Sequence, residues 1–367
     1  MKSHNFIVSG GGTGGHIFPA VAIANAIRKR EPDAKILFVG ANGKMEMEKV
    51  PAAGYEIVGL NITGIKRSLS LSNLMVPIKL WKALRKAAEI LKSFKPDAVI
   101  GVGGYASGAV LYAATGKRIP TLIQEQNSFP GITNRILSKR VNKICVAYDG
   151  MEKFFPAQKI VITGNPVRSE ILKPHANRDE AFRFFDLDES KFTVLVIGGS
   201  LGARSINEAM INHVKKLTEN GIQVIWQTGK GNAANAQLAA TEAGLENVKV
   251  HEFIQKMDLA YACADLVVSR AGAIAVSELC LVKKPSILIP FPFAAEDHQT
   301  SNAKALSEKG AAILIRDDQA KEKLAQEILN LYSDEQKRVE MMAQISAFAR
   351  PDAAELIVDE IFKLIKA

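Results

Sequence analysis

Short β-branched runs, each followed by a longer stretch with helical spacing, set the strongest limit on what this chain can become. Runs at 6–9, 36–39, 98–100, 121–123, 144–147 and 160–163 read as strands, most of them separated by helices. The pattern restarts with runs at 193–197, 223–226, 248–253, 266–269, 286–289 and 312–315. Alternation of this kind predicts parallel sheets covered by helices. Between the two series lies Gly164-Asn165-Pro166, a tripeptide suited to a hinge because Gly and Asn tolerate unusual backbone angles and Pro stops a helix. The expectation is an α/β chain of two Rossmann-like, doubly wound domains, 1–165 and 166–349. A length of 367 residues suffices for two cores. With 47% hydrophobic and 23% charged residues, the chain is neither disordered nor collagen-like.

An internal echo supports duplication. FIVSGGGTGGH (6–16) parallels VLVIGGSLGAR (194–204), and AVIGVGGYASG (98–108) parallels LVVSRAGAIAVSE (266–278). Ligands of open α/β sheets sit beyond the carboxyl ends of strands, so these four loops are expected to line a cleft where the domains face each other. Gly10 to Gly15 satisfies G-x-G-x-x-G after a strand and before a helix, a context that offers backbone N–H groups to a phosphate. A dinucleotide site also wants an acid at the end of the second strand to hold the ribose. Here that strand ends ILFVGAN, which argues against NAD and a nucleotide-dependent oxidoreductase. No GxxxxGK[ST] is present, so a standard P-loop is excluded. Any one such loop could be a plain βα turn; four in matched pairs weigh against that.

Charge is unevenly shared. Residues 1–165 hold 23 Lys and Arg against 10 Asp and Glu, while 166–367 hold 24 against 28. An acidic partner should therefore meet the first half. From Ile57 to Ala88 there is no acid, while Lys66, Arg67, Lys79, Lys82, Arg85 and Lys86 are interleaved with Leu71, Leu74, Met75, Ile78 and Trp81. On a helix these apolar residues form one stripe, and Leu80, Leu84, Ala87 and Leu91 form a second that can face the core. An apolar stripe with a basic rim suits an anionic membrane surface; a core helix with a solvated basic face is the plainer alternative. Pro77 should kink this helix or start a second one. The opening MKSHNFIVSGGG has no signal-peptide core, and no apolar run reaches about 18 residues, so neither secretion nor a membrane span is expected. Cys145, Cys263 and Cys280 are widely spaced and form no CxxC, which disfavours a disulfide framework or a structural zinc site.

The segments GGTGGHIFPA (11–20), GVGGYASG (101–108), QEQNSFPG (124–131), GNPVR (164–168), GGSLGAR (198–204), SRAGAIAVSE (269–278) and PFPFAAEDHQTSNA (290–303) occur in an order that resembles the MurG family. That resemblance implies a GT-B fold and inverting transfer of N-acetylglucosamine from UDP-N-acetylglucosamine to undecaprenyl-linked lipid I, giving lipid II. It implies a peripheral enzyme on the cytoplasmic face of the bacterial inner membrane, with the donor nucleotide in the second domain and the acceptor in the first. It further implies that the last helix, within 350–367, crosses back to the first domain. Where the family often shows HEQN, this chain has Gln124-Glu125-Gln126-Asn127, so a histidine there has no part in its chemistry.

Transfer with inversion needs a base, a place for the leaving diphosphate and close seating of the sugar. His16, at the start of the first helix, is one candidate base, because the helix dipole there favours neutral imidazole; it could equally be a cap. Glu125 is the rival base, with a solvated loop acid as its plain reading. The resemblance assigns Arg168, Ser200 and, through its backbone, Ile254 to the nucleotide. It assigns Ala273, Ile274, Ala275, Val276, Ser277 and Glu278 to ribose and phosphates, with Glu278 suited to a diol. Asn127 and Gln299 would bond the N-acetylglucosamine hydroxyls, and Thr13, Gly14 and Gly15 would face the sugar and the acceptor diphosphate. The lone D-x-D, Asp186-Leu187-Asp188, precedes a strand and reads as a turn. No cofactor, no required metal ligand and no nucleic-acid partner are expected. A nucleotide-sugar sensor without turnover and a related transferase acting on diacylglycerol are the other readings.

Overall fold

The computed structural model describes residues 3–62, 76–168, 171, 178–199, 201–244 and 246–366. Residues up to Arg168, together with those from Arg350 onward, form one compact unit, and the residues between form the other.

The first unit is built on β1 (Asn5–Gly10), β2 (Lys35–Ala41), β3 (Glu56–Leu60), β4 (Ala98–Gly103), β5 (Thr121–Glu125), β6 (Lys143–Val146) and β7 (Ile160–Ile162). All neighbours are parallel, in the order β3-β2-β1-β4-β5-β6-β7. β3 was not among the expected strands. It is a half-buried edge segment with Glu56 and Gly59 in it, so it lacks the continuous apolar run that marks a central parallel strand. β1, by contrast, is buried from Phe6 onward. Its pairing with β4 shifts between Ser9 and Gly10, which puts Gly10 opposite Gly103 at the carboxyl end of the sheet.

The second unit repeats the topology with one strand fewer. Strands β8 (Thr193–Ile197), β9 (Gln223–Gln227), β10 (Val248–His251), β11 (Leu266–Ser269), β12 (Ser286–Leu288) and β13 (Ile313–Leu314) are parallel in the order β10-β9-β8-β11-β12-β13. In each unit the chain order reverses beside the first strand, between β1 and β4 and between β8 and β11. Crevices for ligands open at such points.

Helix α1 (Gly14–Arg30) buries Ile17, Ala20, Ile23, Ala24 and Ile27, a stripe at helical spacing. It leads from β1 to β2, and α2 (Glu46–Ala52) leads from β2 to β3. α3 (Val76–Phe94) has Pro77 in its first turn, where the missing N–H costs nothing. Its core face is Ala83, Ala87, Ile90 and Leu91. Leu80, expected on that face, is 43% exposed. The buried line runs through Ala83, which leaves Leu80 beside Trp81 on the solvent side. Lys66, Arg67, Leu71, Leu74 and Met75 lie outside the described residues. α4 (Tyr105–Gly116) follows β4, and α5 (Ile132–Leu137) follows β5.

The second unit's helices include α6 (Arg178–Phe185), α7 (Arg204–Glu219), α8 (Ala233–Ala243), α9 (Met257–Cys263), α10 (Ala273–Val282), α11 (His298–Ser307), α12 (Ala320–Ser333) and α13 (Glu335–Ser346). The final helix, α14 (Ala353–Lys366), belongs to the first unit and packs on α1. It adds Ile357, Val358 and Ile361 to a cluster with Phe6, Val8, Leu122 and Cys145. Arg30 pairs with Asp359 and sits 4.9 Å from the Phe362 ring centroid. Burial pushes the Cys145 and Cys263 thiols up to about 12, so both stay protonated and act as small apolar side chains.

Replacing the fully buried Ile361 with Ala should destabilise the first unit by about 2–5 kcal/mol through lost burial and a cavity. The chain has two tryptophans, Trp81 and Trp226, one in each unit. Urea unfolding in single-tryptophan backgrounds should show the loss at Trp81 and leave the Trp226 transition in place. A second expectation concerns pH. Burial holds the His251 imidazole below its usual pKa, and its Nε2 has no hydrogen-bond partner among the described residues. The unfolded chain therefore binds a proton that the folded one refuses, so stability should fall as pH drops below about 6.5. The fall should level off below the depressed folded value, and the urea midpoint of His251→Phe should lose that part of its slope.

Candidate active site

β1 ends in Gly10 and α1 begins at Gly14, so the turn between them is almost all glycine. Gly12 has φ +88, and Gly103 and Gly104 after β4 have φ +111 and +91. These two loops are pressed backbone to backbone. A Cβ on Gly104 would lie 2.8 Å from Gly11 O, and one on Gly103 would lie 2.7 Å from His16 Nε2. Thr13 is the extended N-cap of α1 but makes no side-chain cap bond, and the first turn has no acid. Its carbonyl accepts from the His16 and Ile17 amides at 3.1 and 3.2 Å. Gly12, Thr13 and Gly15 are exposed, and Gly14 and His16 are half-buried, so the positive end of the helix opens to solvent.

His16 Nδ1 lies 2.9 Å from Gly11 O. A carbonyl can only accept, so Nδ1 carries the proton, and in the neutral ring Nε2 is the acceptor nitrogen. That is the tautomer a base working through Nε2 requires. Glu125, the rival, is 1% exposed. Its carboxylate accepts from Asn127 N at 3.0 Å, Asn127 Nδ2 at 3.2 Å, Gly131 N at 3.2 Å and Asn134 Nδ2 at 2.8 Å. It is therefore no solvated loop acid: it staples the 125–134 loop and sets the position of Asn127. Gln126 ties that loop to β4, donating to Val102 O at 2.8 Å.

Two residues, Glu46 here and Arg270 in the second unit, escaped the sequence analysis. Glu46, the first residue of α2, is fully buried beneath the glycine loop. It accepts from Gly12 N at 2.9 Å and from Ala41 N at 3.0 Å. The acid that seemed missing at the end of β2 is thus present five residues further on, folded inward where no ribose can reach it. The available signal was a pair of glycines: a Cβ on Gly11 would meet Glu46 Oε1 at 2.1 Å, and one on Gly40 would meet its Cγ at 2.6 Å.

In the second unit the loops after β8 and β9 make the same kind of close approach. A Cβ on Gly202, at φ +79, would meet Thr228 O at 2.1 Å. Ser200 lies outside the described residues. Gln227 bridges two candidate ligand loops: its Nε2 donates to Gly199 O at 3.0 Å, and its Oε1 accepts from Ile254 N at 2.9 Å. The Ile254 backbone was expected to meet the nucleotide, and its amide is held by a protein side chain here.

α10 opens after Gly272 with no side-chain cap and no acid in its first turn, so Ala273, Ile274 and Ala275 begin a helix open to an anion. Val276 is buried, and Ser277 bonds back to Ala273 O at 3.0 Å. Glu278 is buried rather than solvated, and the Tyr261 hydroxyl donates to it at 3.2 Å. Gln299, on α11, accepts from Phe291 N at 3.0 Å.

A cavity of about 550 Å³, lined in part by Leu201, Ser205, Arg270, Phe291 and Asp317, opens at the β8/β11 reversal. Arg270, also missed, organises it by pairing with Asp317 and donating to Ser205 Oγ at 3.2 Å and Ile289 O at 3.1 Å. Arg168 falls in the first unit, with its guanidinium 5.9 Å from the Phe18 ring centroid. Asp188 accepts from Ser190 N at 2.9 Å and Ser190 Oγ at 2.7 Å, a local turn.

Comparison with known proteins agrees with this architecture. The glycosyltransferase family 28 N-terminal domain matches residues 6–146, and the family 28 C-terminal domain matches 193–357. A Cytophaga hutchinsonii protein is 53% identical over 365 residues, covering 100% of this chain and 98% of that one. One from Parabacteroides distasonis is 50% identical over 365 residues, covering 100% and 99%. Both are named UDP-N-acetylglucosamine--N-acetylmuramyl-(pentapeptide) pyrophosphoryl-undecaprenol N-acetylglucosamine transferase. The crystal structure of Acinetobacter baumannii MurG superposes with a TM-score of 0.79 at 30% identity, covering 99% of this chain and 100% of that one. A UDP-GlcNAc 2-epimerase from Neisseria meningitidis, at 16% identity and a TM-score of 0.68, shares the fold alone. With matches to both family 28 domains and about half its residues shared with these transferases from end to end, the chain belongs to the MurG family of glycosyltransferases.

Proposed function

We propose that this protein transfers N-acetylglucosamine from UDP-N-acetylglucosamine to the 4-hydroxyl of the N-acetylmuramyl group of lipid I, forming lipid II for peptidoglycan synthesis. The observation that carries the reading is identity of about half, over the full length, to transferases of that name. The second unit holds the donor and the first the acceptor. Uracil meets the Ile254 backbone, reaching its carbonyl directly and its amide only in exchange with Gln227. Glu278 accepts from the ribose hydroxyls, and Ser200, Arg168 and the amides of Ala273, Ile274 and Ala275 meet the diphosphate, where charge grows as UDP leaves. Gln299 and Asn127 bond the sugar, and Thr13, Gly14 and Gly15 face the sugar and the acceptor diphosphate.

His16 is the base. Its Nε2 takes the proton of the acceptor hydroxyl as that oxygen attacks the anomeric carbon from the face opposite the leaving UDP, so configuration inverts. The saturated hydrogen bonding of Glu125 supports a positioning role for that residue, through Asn127 and the 125–134 loop.

The protein works at the cytoplasmic face of the bacterial inner membrane, with no nucleic-acid partner. Among the described residues no helix is long and apolar enough to cross a membrane. The exposed side chains of Ile78, Leu80 and Trp81, beside the exposed Lys82, Arg85 and Lys86, support docking of α3 on an anionic surface.

Turnover of UDP-N-acetylglucosamine with a lipid I analogue tests the reading; donor binding without transfer would leave a sensor. His16→Ala should lower turnover about a hundred- to ten-thousandfold with UDP affinity intact. Glu278→Ala should weaken donor binding by about tenfold or more, as loss of a bond to a charged group does; unchanged affinity would remove Glu278 from the ribose. The triple variant Lys79→Glu, Lys82→Glu, Arg85→Glu should bind anionic vesicles more weakly and with less salt dependence while donor affinity stays constant.

A further inference from the structure

Gly11 O and Gly12 N–H belong to a single peptide group, and that group is gripped from both sides. Its carbonyl accepts from His16 Nδ1 at 2.9 Å, and its N–H donates to the fully buried Glu46 carboxylate at 2.9 Å. Glu46 is anchored independently by Ala41 N at 3.0 Å. Gly11 and Gly40 leave the room that Glu46 occupies, since a Cβ at either position would meet its side chain at 2.6 Å or less.

We infer that Glu46 is a positioning residue for His16, acting through the Gly11–Gly12 peptide as the acid of a carboxylate–peptide–imidazole relay. The proposal rests on His16 being the base. A carboxylate on the N–H end of an amide polarises it, so its carbonyl becomes a stronger acceptor, and hydrogen bonds in series reinforce one another. The Nδ1 proton is then held on the carbonyl, the ring cannot switch to its other tautomer, and the imidazolium formed during transfer is stabilised. Charged or titratable groups on the neighbouring elements include Arg168 over Phe18, Tyr105 next to Gly104, and Glu125 at the end of β5. Glu46 is the charged side chain seen to hydrogen-bond the N–H of this peptide.

Two measurements on the full-length protein test this. Nitrogen NMR of the histidine ring in the unaltered enzyme should show neutral His16 protonated on Nδ1; protonation on Nε2 overturns the proposal without need of any variant. In Glu46→Gln the His16 titration, followed by NMR, should move to lower pH by about one unit, as expected on removing a nearby negative charge. The acidic limb of kcat/KM should move with it, and UDP affinity should stay as in the parent. An unmoved His16 titration combined with reduced turnover would make Glu46 a structural support only and overturn the inference. Should His16→Ala retain turnover, the base assignment fails. The NMR shift in Glu46→Gln, which needs no catalysis, still decides whether the relay exists.

Discussion

Backbone packed directly against backbone at the carboxyl ends of the sheets is the constraint on which the rest of this molecule depends. In the first unit the 10–15 turn and the 101–104 turn approach until a Cβ on Gly104 would meet the Gly11 backbone, and beside it one on Gly103 would meet the His16 ring. In the second, Gly202 and Gly229 permit the same approach between the loops after β8 and β9. Loops that touch through their main chains have little freedom left, so the amides and carbonyls they present are fixed before any ligand arrives. A methyl group at one of these positions would cost more than its volume suggests, since the positive φ angles there are also closed to ordinary side chains.

Buried polar side chains then hold each loop from beneath. Glu46 carries Gly12 and Ala41, Glu125 carries the 125–134 loop, and Gln227 joins Gly199 to Ile254. Each takes hydrogen bonds that the loop backbone or side chains would otherwise leave unmet away from water, where an unmatched polar group costs about 1–3 kcal/mol. The acids and amides sealed under these loops thus act on the shape of the site, by fixing the backbone above them.

Much of this was legible in the sequence. The alternation of β-branched runs and helical stretches determined two parallel α/β units, because strand and helix periodicities are local properties of the chain. The glycine motifs determined which loops would matter, and the ordered set of motifs pointed to the family. Tertiary structure alone decided what lies under those loops. Glu46 is 36 residues from Gly10, and nothing local says that its carboxylate turns inward to Gly12. The protonated nitrogen of His16, the saturation of Glu125 and the exposure of Leu80 likewise depend on which neighbour arrives in space. Periodicity reports which face of an element is apolar. Hydrogen-bond pairing between distant residues is set only when the sheet brings the ends of its strands together.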